Sequence, residues 1–263
     1  MKNYLGFYSI VLLSVCMLMI GSGCQQPGCT DPSALNFDPD AAESDGECNF
    51  PRLKLILKTV IGEEDWVDGN LYAFGDAMVQ FISVDYYLQN IALVNGQGQV
   101  AETQDTVLYI DASPQQVLLG EVGVDPKSEL RFFVGLDDNT NLSNNPLFLP
   151  INHPLGRKTP PMHWNQTAGY IFLRIDGIAD IDSDGEFDTG ITYQIGTDAL
   201  RKEVRLALDE TPDSDVFSVS LKFDLQKIFE NVNLSEELST ETLNEPELAE
   251  RIANQIPAAF TID

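Results

Sequence analysis

The chain has 263 residues, with 41 acidic against 15 basic side chains and two histidines, for a formal net charge of −26. Such a surplus of carboxylates repels nucleic acid and anionic lipid surfaces, both of which demand Lys and Arg. It leaves metal ions and other cations as natural partners, or plain solubility as the reason for the acids.

Lys2 is followed by an apolar run from Tyr8 to Ile20, then by Gly21, Ser22, Gly23 and Cys24. A run of about 13 residues falls short of the roughly 20 that a ~30 Å hydrocarbon core requires. Cation, apolar run and small residues before a cysteine read as a lipoprotein signal peptide over residues 1–23, with Cys24 lipidated as the first mature residue. An ordinary cleaved signal and a retained anchor helix are the other readings. The lipid would tether the protein in the cell envelope, and Gln25, which is not an inner-membrane-retention Asp, leans toward the outer membrane, on its periplasmic or surface side.

Cys16 leaves with the signal and Cys24 is consumed by lipid, so Cys29 and Cys48 are expected to form a disulfide in an oxidising compartment. Ligation of a metal by two thiols with no local His is the alternative. Closing a loop of about 20 residues contributes roughly 3 kcal/mol. Residues 24–51 hold few core-type side chains beyond Leu35, Phe37 and Phe50, and read as a stapled acidic segment rather than a domain. Its Cys29, Asp31, Ala34, Asn36, Phe37, Pro39, Ala41, Asp45, Gly46 and Cys48 resemble a short cysteine-bracketed motif of exported proteins from Bacteroidetes-type bacteria. Asp38, Asp40 and Asp45 could bind one Ca²⁺, or the segment is a spacer.

From Arg52 the pattern turns to β. Leu53, Leu55 and Leu57 alternate with polar residues, as in a half-buried strand. Further strands are expected at 77–84, 88–94, 106–111, 116–122, 129–135, 169–176, 191–196, 203–209 and 216–222. Turn signals at Asn95-Gly96, Asp125-Pro126, Thr211-Pro212 and the Gly/Asp cluster of 184–190 separate them. Many short strands predict an all-β, antiparallel β-sandwich over residues 52–263. Two short helices are expected near the C-terminus, at 224–231 and 245–255, the second with Asn244 as cap, Pro246 in the first turn and Glu247 completing a capping box.

Both histidines, His153 and His163, fall in one eleven-residue window. Two imidazoles could hold copper weakly, with Met162 adding a soft thioether. The competing reading has them capping turns, with Trp164 as a core plug. In Asp180-Ile-Asp182-Ser-Asp184-Gly185-Glu-Phe-Asp188 the acids at positions 1, 3, 5 and 9 surround a turn glycine and suit Ca²⁺, which takes six to eight oxygens at about 2.4 Å. Position 12 is Ile191 rather than a bidentate Glu, which argues against an EF-hand and for a structural calcium loop between two strands; an unliganded acidic hairpin is the alternative.

The block from Leu149 to Gly196 carries Met162-x-Trp164, Gly169-Tyr170, Arg174-Ile175-Asp176-Gly177 and Gln194-Ile195-Gly196. With Phe81-Ile82-Ser83, Tyr86-Tyr87-Leu88-x-Asn90-Ile91, Val134-Gly135-Leu136-Asp137 and the helix Ala249 to Asn254, it resembles the MbnP-like proteins, named for a periplasmic partner of methanobactin copper chemistry. The resemblance covers about 52–263. It implies a β-sandwich of the cell envelope and, in some members, a copper site of histidines beside a tryptophan that a di-haem, peroxidase-like partner oxidises to kynurenine. On that pattern Trp164 is the candidate modified residue. Gln194 stands where a His ligand is expected and Gln166 where a second tryptophan often is, and a carboxamide oxygen is a weak copper donor.

Enzymatic signals are sparse. No G-x-S-x-G surrounds a serine, no glycine loop cradles phosphate, and the thiols are spent. A glycosidase-type carboxylate pair among 41 acids is the enzymatic reading left open. The expectation is a metal-associated binding protein rather than an enzyme; the alternative is a calcium-stiffened adhesion or ligand-binding sandwich without copper.

Overall fold

The computed structural model describes residues 26–143 and 145–263; the signal segment and Cys24 lie outside the described residues. Pro27–Gly28 (β1) and Glu43–Ser44 (β2) pair in parallel beside the Cys29–Cys48 disulfide, whose S–S distance is 2.10 Å. This segment sits on the sandwich through Val124 N–H to Ser33 O at 3.0 Å and Asn49 Nδ2 to Asp215 Oδ1 at 3.0 Å. The side chains of Asp38 and Asp45 each accept a backbone N–H two residues on, as turn residues do. Of the two readings left open for the segment, a calcium trio of Asp38, Asp40 and Asp45 or a spacer, the trio does not form; among the described residues the only such trio lies elsewhere.

The alternation of Arg52–Ile61 (β3) buries Leu53, Leu55 and Leu57 completely. Glu64–Asp65 (β4) and Tyr72–Phe74 (β5) are short edges before Ala77–Asn95 (β6). Val100–Ile110 (β7), Gln115–Glu121 (β8) and Lys127–Val134 (β9) follow. After helix Asp138–Ser143 (α1) come His163–Asn165 (β10), Gly169–Asp180 (β11), Thr189–Gly196 (β12), Lys202–Glu210 (β13) and Val216–Asp224 (β14). The chain ends with Leu225–Ile228 (α2), Ser239–Glu241 (β15), Pro246–Ala259 (α3) and Phe260–Ile262 (β16).

Among the described residues the strands form a sandwich of one nine-stranded and one five-stranded sheet. The large sheet runs β13-β9-β6-β11-β12-β15, with β5 and β7 also on β6 and β10 on β11; the small one runs β16-β14-β3-β4 with β8 on β3. Pairing is mostly antiparallel, yet β3 and β14 lie parallel, Leu53 beside Phe217 through Phe223 beside Thr59. Alternate residues of both sheets fill the space between, and α3 closes it with Leu248, Ile252 and Ile256. Each such side chain contributes roughly 1.5–3 kcal/mol.

Three expectations change. Residues 77–84 and 88–94 form one strand, because the polar interruption at Asp85 is a residue of the outer face and Asn90, at φ 55°, absorbs an extra residue as a bulge. Asn244 does not cap α3. Its amide donates to Glu241 Oε2 at 2.9 Å, and the capping position falls to Glu245, which makes no side-chain cap bond. The first of the two C-terminal helices is a single turn, Leu225–Ile228, with Asp224 accepting the Gln226 N–H as its cap.

Candidate functional site

β9 and β11 share one edge of β6 end to end. Val134 pairs Leu88 where β9 stops, and Leu173 pairs Tyr86 near where β11 starts. The chain between β9 and β11, described at 135–143 and 145–168, departs at that junction, packs on the outer face of the sheet as a strap and rejoins the sheet at β10. Gly135, at φ 110°, begins it; a Cβ there would lie 2.5 Å from the Phe172 ring, so only glycine fits. Beneath the strap a second apolar core forms from Tyr87, Leu136, Leu155, Met162, Tyr170, Ile171 and Phe172. Tyr170 pins it by donating its hydroxyl to Leu155 O at 2.8 Å.

An open cleft of about 490 Å³ lies against this core, lined by Leu147, Arg157, Met162, His163, Trp164 and Tyr170 among others. β10 pairs His163 with Tyr170, and the two rings meet edge-on at 4.7 Å between centroids. His163 Nε2 is shielded from solvent and has no hydrogen-bond partner. Burial pushes the His163 pKa down, which keeps the imidazole neutral near pH 7. Met162 is 2% exposed, its side chain part of the second core. Trp164 is half-buried; its indole N–H donates to Gln194 Oε1 at 2.8 Å and its ring lies so close to Gly196 that a Cβ there would be 2.6 Å away.

The structure thus brings Met162, His163 and Trp164 to one cleft, with Gln166 on its wall. His153 sits in the preceding turn, where Nδ1 accepts the Leu155 N–H at 3.1 Å and its carbonyl accepts Lys158 Nζ at 3.0 Å. That is a turn-capping role, leaving only Nε2 for a ligand. Gln194 was visible in the sequence as a departure from the family pattern, but its bond to an indole 30 positions away was not. Arg174 was likewise visible as part of a motif, but not its contact: Nη1 donates to Pro161 O at 3.0 Å and ties the strap to β11.

The donor set fits copper in part. One neutral imidazole nitrogen is free, a thioether is its chain neighbour, and the Gln194 oxygen is already taken by the indole. A metal held here would draw on His163 first, with Met162 as a further donor, since His153 does not line the cleft, and would supply redox or Lewis-acid chemistry beside Trp164.

At the start of the 184–190 hairpin, oxygens of Asp180, Asp182 and Asp184 lie within 4.8 Å of one another. Asp180 is 6% exposed and accepts Ser183 N–H on one oxygen and Gly185 N–H on the other, at 2.8 and 3.0 Å. Ser183 and Gly185, at φ 62° and 88°, fold the loop over it. Asp188 does not join the trio; its carboxylate accepts the Thr189 hydroxyl at 3.2 Å, beyond the turn.

A β-sandwich whose outer face carries a strap, an aromatic cleft and an acidic hairpin is the class of protein defined here. The sequence profile of the MbnP family matches residues 51–245, and the chain belongs to that family. Among solved structures, MbnP from Methylosinus trichosporium is similar in fold, with a TM-score of 0.57 and 18% identity over 77% of this chain and 87% of that one. No curated protein sequence is significantly similar.

Proposed function

We propose that this chain is a lipid-tethered MbnP-family protein of the cell envelope that binds metal ions instead of turning over a substrate. Copper is the ion for the cleft, with His163 as principal donor, Met162 as a supplementary one, and Trp164 as the residue open to oxidation by a di-haem partner. The observation that carries this reading is His163 Nε2, a shielded imidazole nitrogen with no protein partner, beside Met162 and Trp164. A neutral imidazole is the donor that copper selects, and leaving one unmatched costs stability unless a ligand completes it.

Elemental analysis of the protein purified from its native envelope, with the mass of the Trp164 peptide, tests it. Bound copper that is lost in His163→Ala supports the proposal, and a mass change at Trp164 extends it to the partner. Copper-free protein that also fails to take up added copper overturns it. The gathering of Asp180, Asp182 and Asp184 favours a second reading, a calcium-stiffened ligand-binding sandwich, which full calcium occupancy without copper would select.

A further inference from the structure

A second cleft, of about 480 Å³, shares the strap with the first: Thr159 and Pro160 wall it, as Lys158 and Pro161 wall the Trp164 cleft. Its lining includes Ile82, Asp85, Tyr109, Asp111 and Asp176. Val84 and Tyr86 point into the main core, so Asp85 between them projects from the outer face. It is only 3% exposed. Tyr109 donates its hydroxyl to Asp85 Oδ1 at 2.6 Å, while Oδ2 has no partner.

The groups that face Asp85 leave it short of positive charge. Arg174 is its cross-strand neighbour on β11, yet Nε is committed to Asp176 Oδ2 at 2.6 Å and Nη1 to Pro161 O. Lys158 lies over the Tyr109 ring at 4.5 Å and donates to His153 O. Ser83 has one proton, given to Asp176 Oδ2 at 3.3 Å, and Thr192 donates to Asp176 Oδ1 at 2.5 Å. Asp111 and Asp176 add like charge. Burial pushes the Asp85 pKa up, opposed by the Tyr109 hydrogen bond and by the nearby Ser83 hydroxyl, and the two neighbouring carboxylates push it further up. A buried carboxyl with one unmatched oxygen and two more acids around it is built for a cation that arrives from outside.

We propose that this cleft binds a guanidinium group, with Asp85 and Asp111 as its carboxylate partners and Ile82 and Pro160 beside its alkyl stem. A bare metal ion suits the site less. Asp85, Asp111 and Asp176 do not bring their oxygens within 4.8 Å of one another as the hairpin trio does. The planar guanidinium spreads five N–H donors over several ångströms and pairs with carboxylates in a fork. Ile82, 58% exposed, supplies the apolar surface for a methylene chain. The guanidinium has two sources, a free small molecule or the arginine side chain of a peptide.

Calorimetric titration of the full chain in detergent with agmatine, an arginine-containing tetrapeptide, putrescine and Ca²⁺ at low ionic strength tests the assignment. Saturable binding of agmatine or the peptide is expected, weakened about tenfold or more in Asp85→Asn and in Asp111→Asn, the size of one lost charge-assisted contact. It should be unchanged in His163→Ala, which separates this site from the copper cleft. Stronger binding of agmatine identifies a small-molecule source, and stronger binding of the peptide an arginine side chain. Binding of neither, undiminished binding in both variants, or Asp85-dependent binding of Ca²⁺ or putrescine alone overturns the proposal. Asp111 lies at the half-exposed rim, so its variant decides the question even where Asp85→Asn fails to fold.

Discussion

Lys127 and Asp85 are both charged side chains buried in the large sheet, and the fold treats them in opposite ways. The Lys127 side chain has no solvent exposure and donates to Glu102 Oε1 and Oε2 at 2.8 and 3.0 Å and to Asp125 Oδ1 at 2.8 Å, so all three N–H bonds of the ammonium are matched. Glu102 in turn accepts Gly123 N–H at 2.8 Å. Asp85 has one donor for two oxygens. A buried charge that serves the fold is completed by the fold; one left incomplete, in a cleft, marks a place where something else completes it.

The sharpest way to break this comparison is to leave the matched site unmatched. Lys127→Ala strands Glu102 and Asp125 around an empty position and is expected to lower stability by about 3–5 kcal/mol in chemical denaturation. A loss near that of an ordinary surface substitution would show that burial and pairing at Lys127 carry no such weight, and would remove the contrast with Asp85.

Which of these features the sequence displays depends on whether their parts are neighbours in the chain. Alternation at Leu53, Leu55 and Leu57 is local, and the sandwich follows from many such local patterns. The acids of 180–184 are also local, and three of them do converge. Asp188 does not, because it lies beyond the turn, next to the first residue of the returning strand. His153 and His163 are close in sequence, yet one caps a turn and the other packs on Tyr170, since proximity along a strap does not fix side-chain direction. The Asp85 cleft draws on β6, β7, β11 and the strap, and no window of sequence contains it. Its only trace was a polar residue that seemed to end a strand.

The acidic hairpin offers a medium-sized test, because it has carboxylates of both kinds in one loop. Asp180 is matched by two backbone N–H groups, so Asp180→Ala is expected to cost about 2 kcal/mol with chelator present. Asp182 and Asp184 are exposed, and their alanine variants should stay within about 0.5 kcal/mol under the same conditions. Added Ca²⁺ should raise the melting temperature of the parent protein but not of Asp182→Ala or Asp184→Ala. A parent protein indifferent to Ca²⁺ would leave the hairpin as a turn closed by Asp180 alone.

The smallest expected effect is the most specific to Asp85. Below its ordinary value of 3.8 the carboxyl is neutral in folded and unfolded chains alike, and its burial costs no charge desolvation. As pH rises past that value the unfolded chain ionises first, while the folded chain resists because its pKa is raised, so stability is lost until the folded group has ionised as well. Asp85→Asn lacks this loss. Its melting temperature relative to the parent protein should therefore climb from pH 4 upward and level off above the raised pKa. Glu237 and Asp263 have lowered pKa values, held by Arg251 and by Lys222 and Lys58, and contribute the opposite slope, but they do so in both proteins and cancel in the difference. A difference that stays flat with pH would mean that Asp85 is matched after all. A guanidinium bound at Oδ2 favours the ionised form, so agmatine should narrow the gap between the two proteins above the raised pKa and leave it unchanged well below 3.8, where the carboxyl is protonated.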